Sequence, residues 1–363
     1  MLTTLDRYII RHFMVNYLIA IASMIGLYVV LDLFFNLDEF VESDRGVLRV
    51  LRNILSYYGY NMFLYFAQIS GVITLFAGAC TLARMQKANE LVGIMAAGTS
   101  LHRVAVPVVL AGLAANLLWI VDQEVVIPRF APKLARAHED VEGDRARDLH
   151  FISDRGNALL TAWDFQPRLK QIRELVVLRR DANGSFTDCI TADQATWDEQ
   201  ARHWRLERGV IHSRASAAGE LGSSDQSERT PIEVYESDLT PDELVLRQAT
   251  MWHDLLSLHQ LRQLEERNYV DPKEVSRIRH ARFALPFMNL LLLLLGIPFF
   301  LTREPSGVLV QSAKCLFNAG LCFTVTFLSH NVVHWEMFPA LTAWFPLMVF
   351  APVAIIYLDG LKT

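Results

Sequence analysis

Six long apolar runs, three before and three after a long polar stretch, constrain this chain more than any other feature. The runs cover residues 13–35, 58–82, 104–121, 283–301, 308–329 and 338–358. Each has about 18 to 25 residues, enough for a helix to cross roughly 30 Å of hydrocarbon. Because a backbone inside lipid must satisfy its own hydrogen bonds, helices are the expected structure. The pattern predicts an α-helical membrane protein with six transmembrane helices in two sets of three.

Lysine and arginine are distributed unevenly between the short flanks of these runs. The side that holds both termini has Arg7, Arg11, Arg84, Lys87, Arg103, Arg303 and Lys362. The loop after the first run has only Arg45, Arg49 and Arg52, among acidic residues. The positive-inside rule therefore predicts that both termini are cytoplasmic. The polar insert then faces the opposite compartment, which in a bacterium is the periplasm.

Short runs of alternating apolar and polar residues fill most of the insert, and turn signals separate them. Candidate turns lie at residues 154–157, 181–184 and 198–203, and the runs between them are typical of strands. Strands at such short spacing indicate an antiparallel sandwich or jelly roll. After Pro241 the spacing of apolar residues becomes helical. Pro272 fits the first turn of a further helix that leads into the fourth run.

Together these patterns predict four regions in the chain. Residues 1–122 hold the first three transmembrane helices, and residues 123–240 form a periplasmic antiparallel β jelly-roll-like domain. Residues 241–281 form a helical connector, and residues 282–363 hold the last three transmembrane helices.

Several functional classes lack their motifs in this sequence. The insert has no G-x-S-x-G, H-E-x-x-H or calcium-loop pattern, and no phosphate loop occurs in the chain. The four cysteines include no C-x-x-C pair, so neither a disulfide framework nor a metal site is expected. A net charge of -5 without a basic block excludes a nucleic-acid partner. We expect no cofactor, no metal and no enzymatic activity in this chain.

The loop between the second and third runs has the pattern of a short amphipathic helix. Asn89 can cap a helix that begins at Glu90, and Gly98 fits a left-handed helix end. Its apolar face consists of Leu91, Ile94 and Met95. Such a helix can lie on the lipid surface or dock into a groove of a cytoplasmic partner. The residues alone leave both alternatives open.

Four segments of the chain carry a family resemblance: Leu5-Asp-Arg-Tyr-Ile-Ile-Arg11, residues 89–98, Ser237-Asp-Leu-Thr-Pro-Asp-Glu243 and the leucine-rich run 290–298. Together they resemble the LptF/LptG permease family of the lipopolysaccharide export ABC transporter. The arrangement of three helices, an insert and three helices agrees with the family along the whole chain.

The resemblance implies a permease subunit of an ATP-driven ABC exporter. Such a subunit pairs with a second permease of the same family in the inner membrane and binds a cytoplasmic ABC ATPase dimer, which hydrolyses the ATP. The assembly extracts lipopolysaccharide or a related envelope lipid and passes it to a periplasmic jelly-roll bridge, which the insert joins edge to edge. The residues implied at the ATPase contact are Glu90, Leu91, Ile94, Met95 and Gly98. The alternative is a membrane-anchored envelope enzyme, or a scaffold with a periplasmic binding domain.

The resemblance also implies that the first and fifth helices line a lipid cavity. The aromatic lipid-contact candidates are Phe34, Phe35, Phe317 and Phe323. Family members that grip lipopolysaccharide have basic residues near the outer end of the first helix, whereas residues 32–39 here are acidic and would repel phosphates. Two alternatives remain for the positive charge: the second subunit supplies it, or it comes from Arg45, Arg49 and Arg52.

Overall fold

The computed structural model describes residues 3–41, 47–135, 147–181, 184–213, 228–248, 252–267, 269–301, 307–331 and 339–360. The chain divides into two compact units. The helical unit comprises Met1–Phe35, Asn61–Pro128 and Pro272–Thr363. The sheet unit comprises Asn36–Tyr60 and Arg129–Asp271.

Long helices account for all of the predicted membrane runs. In chain order the α-helices are α1 (Thr4–Val41), α2 (Val47–Lys87), α3 (Glu90–Ala96), α4 (Leu101–Val121), α5 (Ile127–Leu134), α6 (Pro241–Gln248), α7 (Leu258–Glu266), α8 (Pro272–Phe300), α9 (Val308–Asn331) and α10 (Pro339–Asp359). Within the described residues, 6 candidate membrane spans are long and apolar enough to cross a bilayer. They belong to α1, α2, α4, α8, α9 and α10, so the prediction of three spans before the insert and three after it is confirmed.

Close helix packing holds the helical unit together. Phe13 and Tyr17 are buried one turn apart on α1. Leu293, in the leucine-rich run of α8, packs against α2 and α4 at points where both helices have glycine. A Cβ atom added to Gly78 would lie 2.5 Å from a methyl carbon of Leu293, and one added to Gly112 would lie 2.4 Å from the other. The absence of side chains at these two positions therefore allows the three helices to meet.

The third membrane helix continues beyond its apolar run. After α4 ends at Val121, a π-helical turn covers Asp122–Val126, and α5 extends the helix to Leu134. Pro128 has no N–H group, so the bond to the carbonyl four residues earlier cannot form. A local shift of the hydrogen-bond ladder is the expected response to that missing donor.

The insert forms one antiparallel sheet of six strands within the described residues. The strands are β1 (Arg147–Asp154), β2 (Ala158–Gln166), β3 (Gln171–Arg180), β4 (Phe186–Asp198), β5 (His203–Ser213) and β6 (Glu228–Tyr235). The prediction of an antiparallel sheet between the third and fourth membrane helices is confirmed. The strands follow one another in chain order as a meander, whereas a jelly roll crosses between two sheets. Tight turns between β1 and β5 explain the meander, because such turns join adjacent antiparallel strands.

One face of this sheet is the buried face of the unit. Leu160 of β2 lies opposite Val177 of β3, which lies opposite Ile190 of β4. All three side chains are fully buried. Because side chains alternate between the two faces of a strand, the apolar alternation in the sequence specifies which face packs inward.

Asp154 ties the first strand of the sheet to the segment around the last one. Its buried carboxylate accepts hydrogen bonds from the backbone N–H groups of Arg155 and Asp238 and from the hydroxyl groups of Tyr235 and Ser237. This set of donors satisfies both carboxylate oxygens. Since Asp154 ends β1 and Tyr235 ends β6, the contact holds these two strand ends together.

Two titratable side chains near Asp154 have pKa values that differ from their ordinary values. Burial raises the pKa of Tyr235, and the negative charge of Asp154 raises it further. Burial lowers the pKa of Arg247, whose guanidinium donates to a β1 carbonyl at 2.6 Å and lies over the rings of Trp252 and Tyr269. Tyr235 therefore stays a neutral hydrogen-bond donor. Arg247 remains cationic, because the ordinary pKa of arginine lies far above neutral pH.

Residues 237–243 build the turn from β6 into α6. The backbone N–H of Thr240 donates to the Glu243 carboxylate at 3.2 Å, and the backbone N–H of Glu243 donates to the Thr240 hydroxyl at 3.3 Å. This reciprocal pair is a capping box. Leu239 is buried, and its carbonyl accepts the indole N–H of Trp204 at 3.0 Å. The contacts give this segment a structural role in the sheet unit.

Three short helical segments, rather than one helix, connect the sheet to α8. A 3₁₀ turn at Trp252–Leu255 follows α6 and precedes α7. Ser257 caps the start of α7 and forms a capping box with Gln260. Because a new helix begins here, the helically spaced apolar residues of this region do not belong to one continuous helix. Pro272 is the first residue of α8, as predicted.

Candidate functional site

The loop between α2 and α4 contains the predicted short helix, α3. Gly98 ends this helix in the left-handed region, with φ +79°. Its N–H donates to the carbonyl of Met95 at 2.9 Å, and the N–H of Thr99 donates to the carbonyl of Ile94 at 3.2 Å, which is the Schellman pattern. The expected capping role of Asn89 is wrong, because its side chain makes no capping hydrogen bond. Its backbone is itself left-handed, with φ 58°, and asparagine adopts that conformation more readily than most residues.

The two faces of α3 differ in burial. Leu91 is 2% exposed and belongs to the apolar core of the helical unit. Ile94 and Met95 pack against the same core from half-buried positions. Val92 is 50% exposed, and Glu90 is half-buried at the start of the helix. The apolar face seen in the sequence thus fixes α3 to the helical unit, while the accessible surface includes Val92 and Glu90.

A tyrosine on α1 contacts the carboxylate of Glu90. The Tyr8 hydroxyl donates to this carboxylate and lies 3.0 and 3.1 Å from its two oxygens. His12, one turn further along α1, packs edge-on against the Tyr8 ring with 4.4 Å between the ring centroids. No local pattern in the sequence indicates this contact, since the two residues are 82 positions apart.

A second contact joins the start of α1 to the start of α4. The Arg103 guanidinium lies 2.8 Å from the Asp6 carboxylate. Thr3 and Asp6 exchange backbone-to-side-chain hydrogen bonds of 2.8 and 3.3 Å, which cap α1. Ser100 caps α4 by accepting the backbone N–H of Arg103. The first residue of α3 and the start of α4 after it are therefore both bound to the first two turns of α1.

The candidate lipid-contact phenylalanines lie on the least buried membrane helices. On α1, Phe34 and Phe35 are each 77% exposed, and on α9, Phe317 is 76% and Phe323 55% exposed. The most apolar stretch of α1 is 6% buried and that of α9 is 17% buried, against 50% for α2 and α4. Apolar surface of this extent requires lipid or another apolar partner around it.

Two of the three arginines considered for head-group contact lie near the start of α2. Arg45 falls outside the described residues. Arg49 and Arg52 lie three positions apart on α2, and Arg52 is exposed. Both therefore belong to the helix that follows the acidic end of α1.

Histidine, cysteine and acidic side chains are dispersed over the described residues. No group of three or more His, Cys, Asp or Glu side chains among them could hold a metal ion. The cysteines are free thiols, and the one in the insert is Cys189. Burial raises the pKa of the Cys189 thiol, with a smaller contribution from the charge of Asp188. A thiol with a raised pKa is a poor nucleophile near neutral pH.

Along the chain, three helices of membrane length precede the inserted sheet and three follow it. This order defines the chain as an α-helical multi-pass membrane protein. The family described as lipopolysaccharide export system permease LptF/LptG matches residues 7–359. The chain therefore belongs to the LptF/LptG permease family, and the resemblance noted in its sequence is confirmed. No curated protein matches the sequence. Family membership makes the chain a transport permease of the inner membrane in lipopolysaccharide export, rather than an enzyme.

Proposed function

We propose that this chain is the permease subunit of an ATP-driven ABC exporter. It extracts lipopolysaccharide or a related envelope lipid from the inner membrane and passes it to a periplasmic bridge protein. A separate cytoplasmic ATPase dimer supplies the energy, since the sequence has no phosphate loop. A second permease of the same family completes the cavity in which the lipid is held.

The construction of α3 is the observation that carries this proposal. Leu91, Ile94 and Met95 hold the helix against the core, and Gly98 ends it with a fixed turn. Glu90 stays accessible at one end of a short, firmly anchored helix. Such a helix fits a groove on a soluble partner. A cation of that partner would make a charge-assisted hydrogen bond to Glu90.

The orientation follows from the charges beside α3. Arg84 and Lys87 end α2, and Arg103 begins α4, so the loop that carries α3 has basic flanks. By the positive-inside rule we place this loop and both termini in the cytoplasm. The insert between the third and fourth spans is then placed in the periplasm.

The lipid path is assigned to the exposed faces of α1 and α9. Apolar side chains such as Phe34 and Phe317 suit contact with lipid acyl chains, because each exposes most of its surface. We assign the head group to the arginines at the start of α2, of which Arg52 is exposed. The acidic residues at the end of α1 would weaken the binding of a heavily phosphorylated head group.

The sheet unit supplies the contact with the bridge. In the described residues β1 and β6 are the edge strands of the sheet, and edge strands pair readily with a strand of another protein. Pro231 in β6 lacks an N–H donor, which limits pairing along that edge to the residues on either side.

Reversal of the charge at position 90 tests the proposed ATPase contact. Glu90→Lys is expected to weaken docking of the ATPase at least about tenfold, because it replaces an attractive charge pair by a repulsive one. Glu90→Ala should weaken docking less than the reversal. The measurement is the affinity between the ATPase and the purified permease in nanodiscs.

A matched charge reversal on the connector serves as the control. Glu266 is an exposed glutamate of α7 that pairs with Arg262, and Glu266→Lys should leave docking unchanged. Membrane yield and thermal midpoint should be the same for all of these variants. Docking of Glu90→Lys with the affinity of the unmodified chain would overturn the proposal.

A further inference from the structure

Two of the sequence segments that carry the family resemblance meet in the structure. One is the start of α1, which contains Tyr8, and the other is the loop that contains Glu90. The Tyr8 hydroxyl is centred between the two oxygens of Glu90, at 3.0 and 3.1 Å. Among the described contacts, this one joins the helix proposed to dock the ATPase directly to the helix proposed to line the lipid path.

The Tyr8 contact leaves Glu90 able to bind a partner at the same time. A carboxylate has about four acceptor positions on its two oxygens, and a tyrosine hydroxyl supplies one proton. Glu90 is half-buried, so part of its carboxylate faces outward. A cation of the ATPase and the hydroxyl of Tyr8 can therefore both be bonded to Glu90.

The salt bridge between Asp6 and Arg103 reinforces the link between α1 and the docking loop. It lies two residues before Tyr8 on α1 and holds the first turn of α4 at 2.8 Å. With Tyr8 on Glu90 and Asp6 on Arg103, α1 is attached to the first residue of α3 and to the first turn of α4. A displacement of α3 is consequently expected to move the start of α1 as well.

Helix α1 is continuous between Tyr8 and the exposed phenylalanines at its far end. It is helical from Thr4, and its first non-helical backbone angles occur at Asn36, with φ -114°. The segment up to Phe35 is about 48 Å long at 1.5 Å per residue. Phe34 and Phe35, exposed at its far end, are thus connected to Tyr8 by one unbroken helix.

We infer that Tyr8 is a positioning residue that transmits the docking of an ATPase at Glu90 to α1, and so to the lipid-facing end of that helix. This inference rests on the proposed function of α3. In a firmly packed unit, a hydrogen bond between two rigid helices makes them move together. Without the hydroxyl, the ATPase still docks on Glu90, but its movement reaches α1 less efficiently.

Substitution of Tyr8 by phenylalanine isolates the hydroxyl. The assay uses the purified complex with its ATPase in proteoliposomes that contain lipopolysaccharide, and it measures lipid extracted per ATP hydrolysed. Tyr8→Phe is expected to leave docking affinity within about twofold and to lower the lipid-per-ATP ratio about tenfold, in line with the loss of one charge-assisted hydrogen bond. A purely structural role would lower the membrane yield and would leave this ratio unchanged.

Tyr357→Phe is the matched control and should leave the ratio unchanged, because Tyr357 lies on α10, outside the proposed lipid path, and its ring packs on Phe299 with 5.8 Å between the ring centroids. A second measurement does not depend on transport. Amide exchange over residues 7–13 should slow when the ATPase docks on the unmodified permease, and this slowing should be absent in Tyr8→Phe.

The outcomes separate this inference from the proposed function. If Glu90→Lys loses docking while Tyr8→Phe keeps a normal ratio and a normal exchange response, the role of Tyr8 is wrong and the docking role of α3 stands. If Glu90→Lys docks normally, the proposed function itself fails.

Discussion

Replacement of Asp154 by alanine is expected to open the sheet unit at its edges, with a loss of about 3–5 kcal/mol in its unfolding free energy. The carboxylate is fully buried, and its removal leaves the hydroxyl groups of Tyr235 and Ser237 without their acceptor. The backbone N–H of Asp238 also loses its partner. Each buried donor that loses its acceptor costs about 1–3 kcal/mol of unfolding free energy. These costs fall on the same part of the sheet unit, because all of these donors bind the Asp154 carboxylate.

Hydrogen exchange of the full-length protein in detergent measures this loss locally. Amides of β1 and β6 should exchange at least about 100-fold faster in Asp154→Ala, since each 1.4 kcal/mol corresponds to about a factor of ten. Asp193→Ala is the control, because Asp193 is exposed and forms its salt bridge with the exposed Arg208, and surface pairs contribute about 0–1 kcal/mol. Equal exchange rates in the two variants would contradict the role assigned to Asp154.

Alanine at both Gly78 and Gly112 is expected to destabilise the helical unit by about 2–5 kcal/mol. Each added Cβ atom would lie within 2.5 Å of a methyl carbon of Leu293. The Leu293 side chain cannot move away from one alanine without approaching the other, because the two glycines contact different methyl groups. Unfolding in mixed detergent micelles, followed by circular dichroism, gives the free energies.

A third substitution tests whether Leu293 is the cause. Leu293→Ala removes both crowded methyl groups, so the triple variant should be more stable than the double variant by about 1 kcal/mol or more. Gly26→Ala on α1 is the control, because a Cβ atom there meets nothing within 4 Å. The packing account is contradicted if the double variant is as stable as the unmodified chain, or if removal of Leu293 destabilises it further.

Local features of this protein could be predicted from its sequence with good accuracy. The apolar runs specify the membrane helices because length and hydropathy alone decide whether a helix can cross a bilayer. Turns such as the one at residues 154–157 fall between strands, because glycine, asparagine and aspartate favour turn conformations wherever the chain places them. Gly98 likewise ends α3 in the left-handed region, as expected for the residue type.

Features that depend on distant contacts could not be predicted in the same way. The alternation around Asp154 indicates a strand end and a turn, but nothing local shows that Tyr235 will bond to it. The link between Tyr8 and Glu90 is hidden for the same reason. For α3, the periodicity correctly groups Leu91, Ile94 and Met95 on one face. It cannot tell whether that face packs on this chain or on a partner, and the structure packs it on this chain.

The extension of the third membrane helix to Leu134 shows a related limit. Hydropathy falls after Val121, so the apolar run ends there although the helix does not. The later residues are helical because Ile127 and Ala131 are buried one turn apart. Burial of this kind depends on neighbouring elements, which the local pattern does not contain.

We propose that α3 and the sheet lie on opposite sides of the membrane, so that a cytoplasmic ATPase can drive delivery of lipid to the periplasmic side. Labelling of single cysteines tests it directly, in a chain whose four native cysteines have been replaced. Asp193→Cys and Val92→Cys place accessible thiols on the sheet and on α3. In intact spheroplasts a membrane-impermeant maleimide should label the cysteine at 193, and it should label the one at 92 only after permeabilisation. Labelling of both positions from the same side would contradict the account.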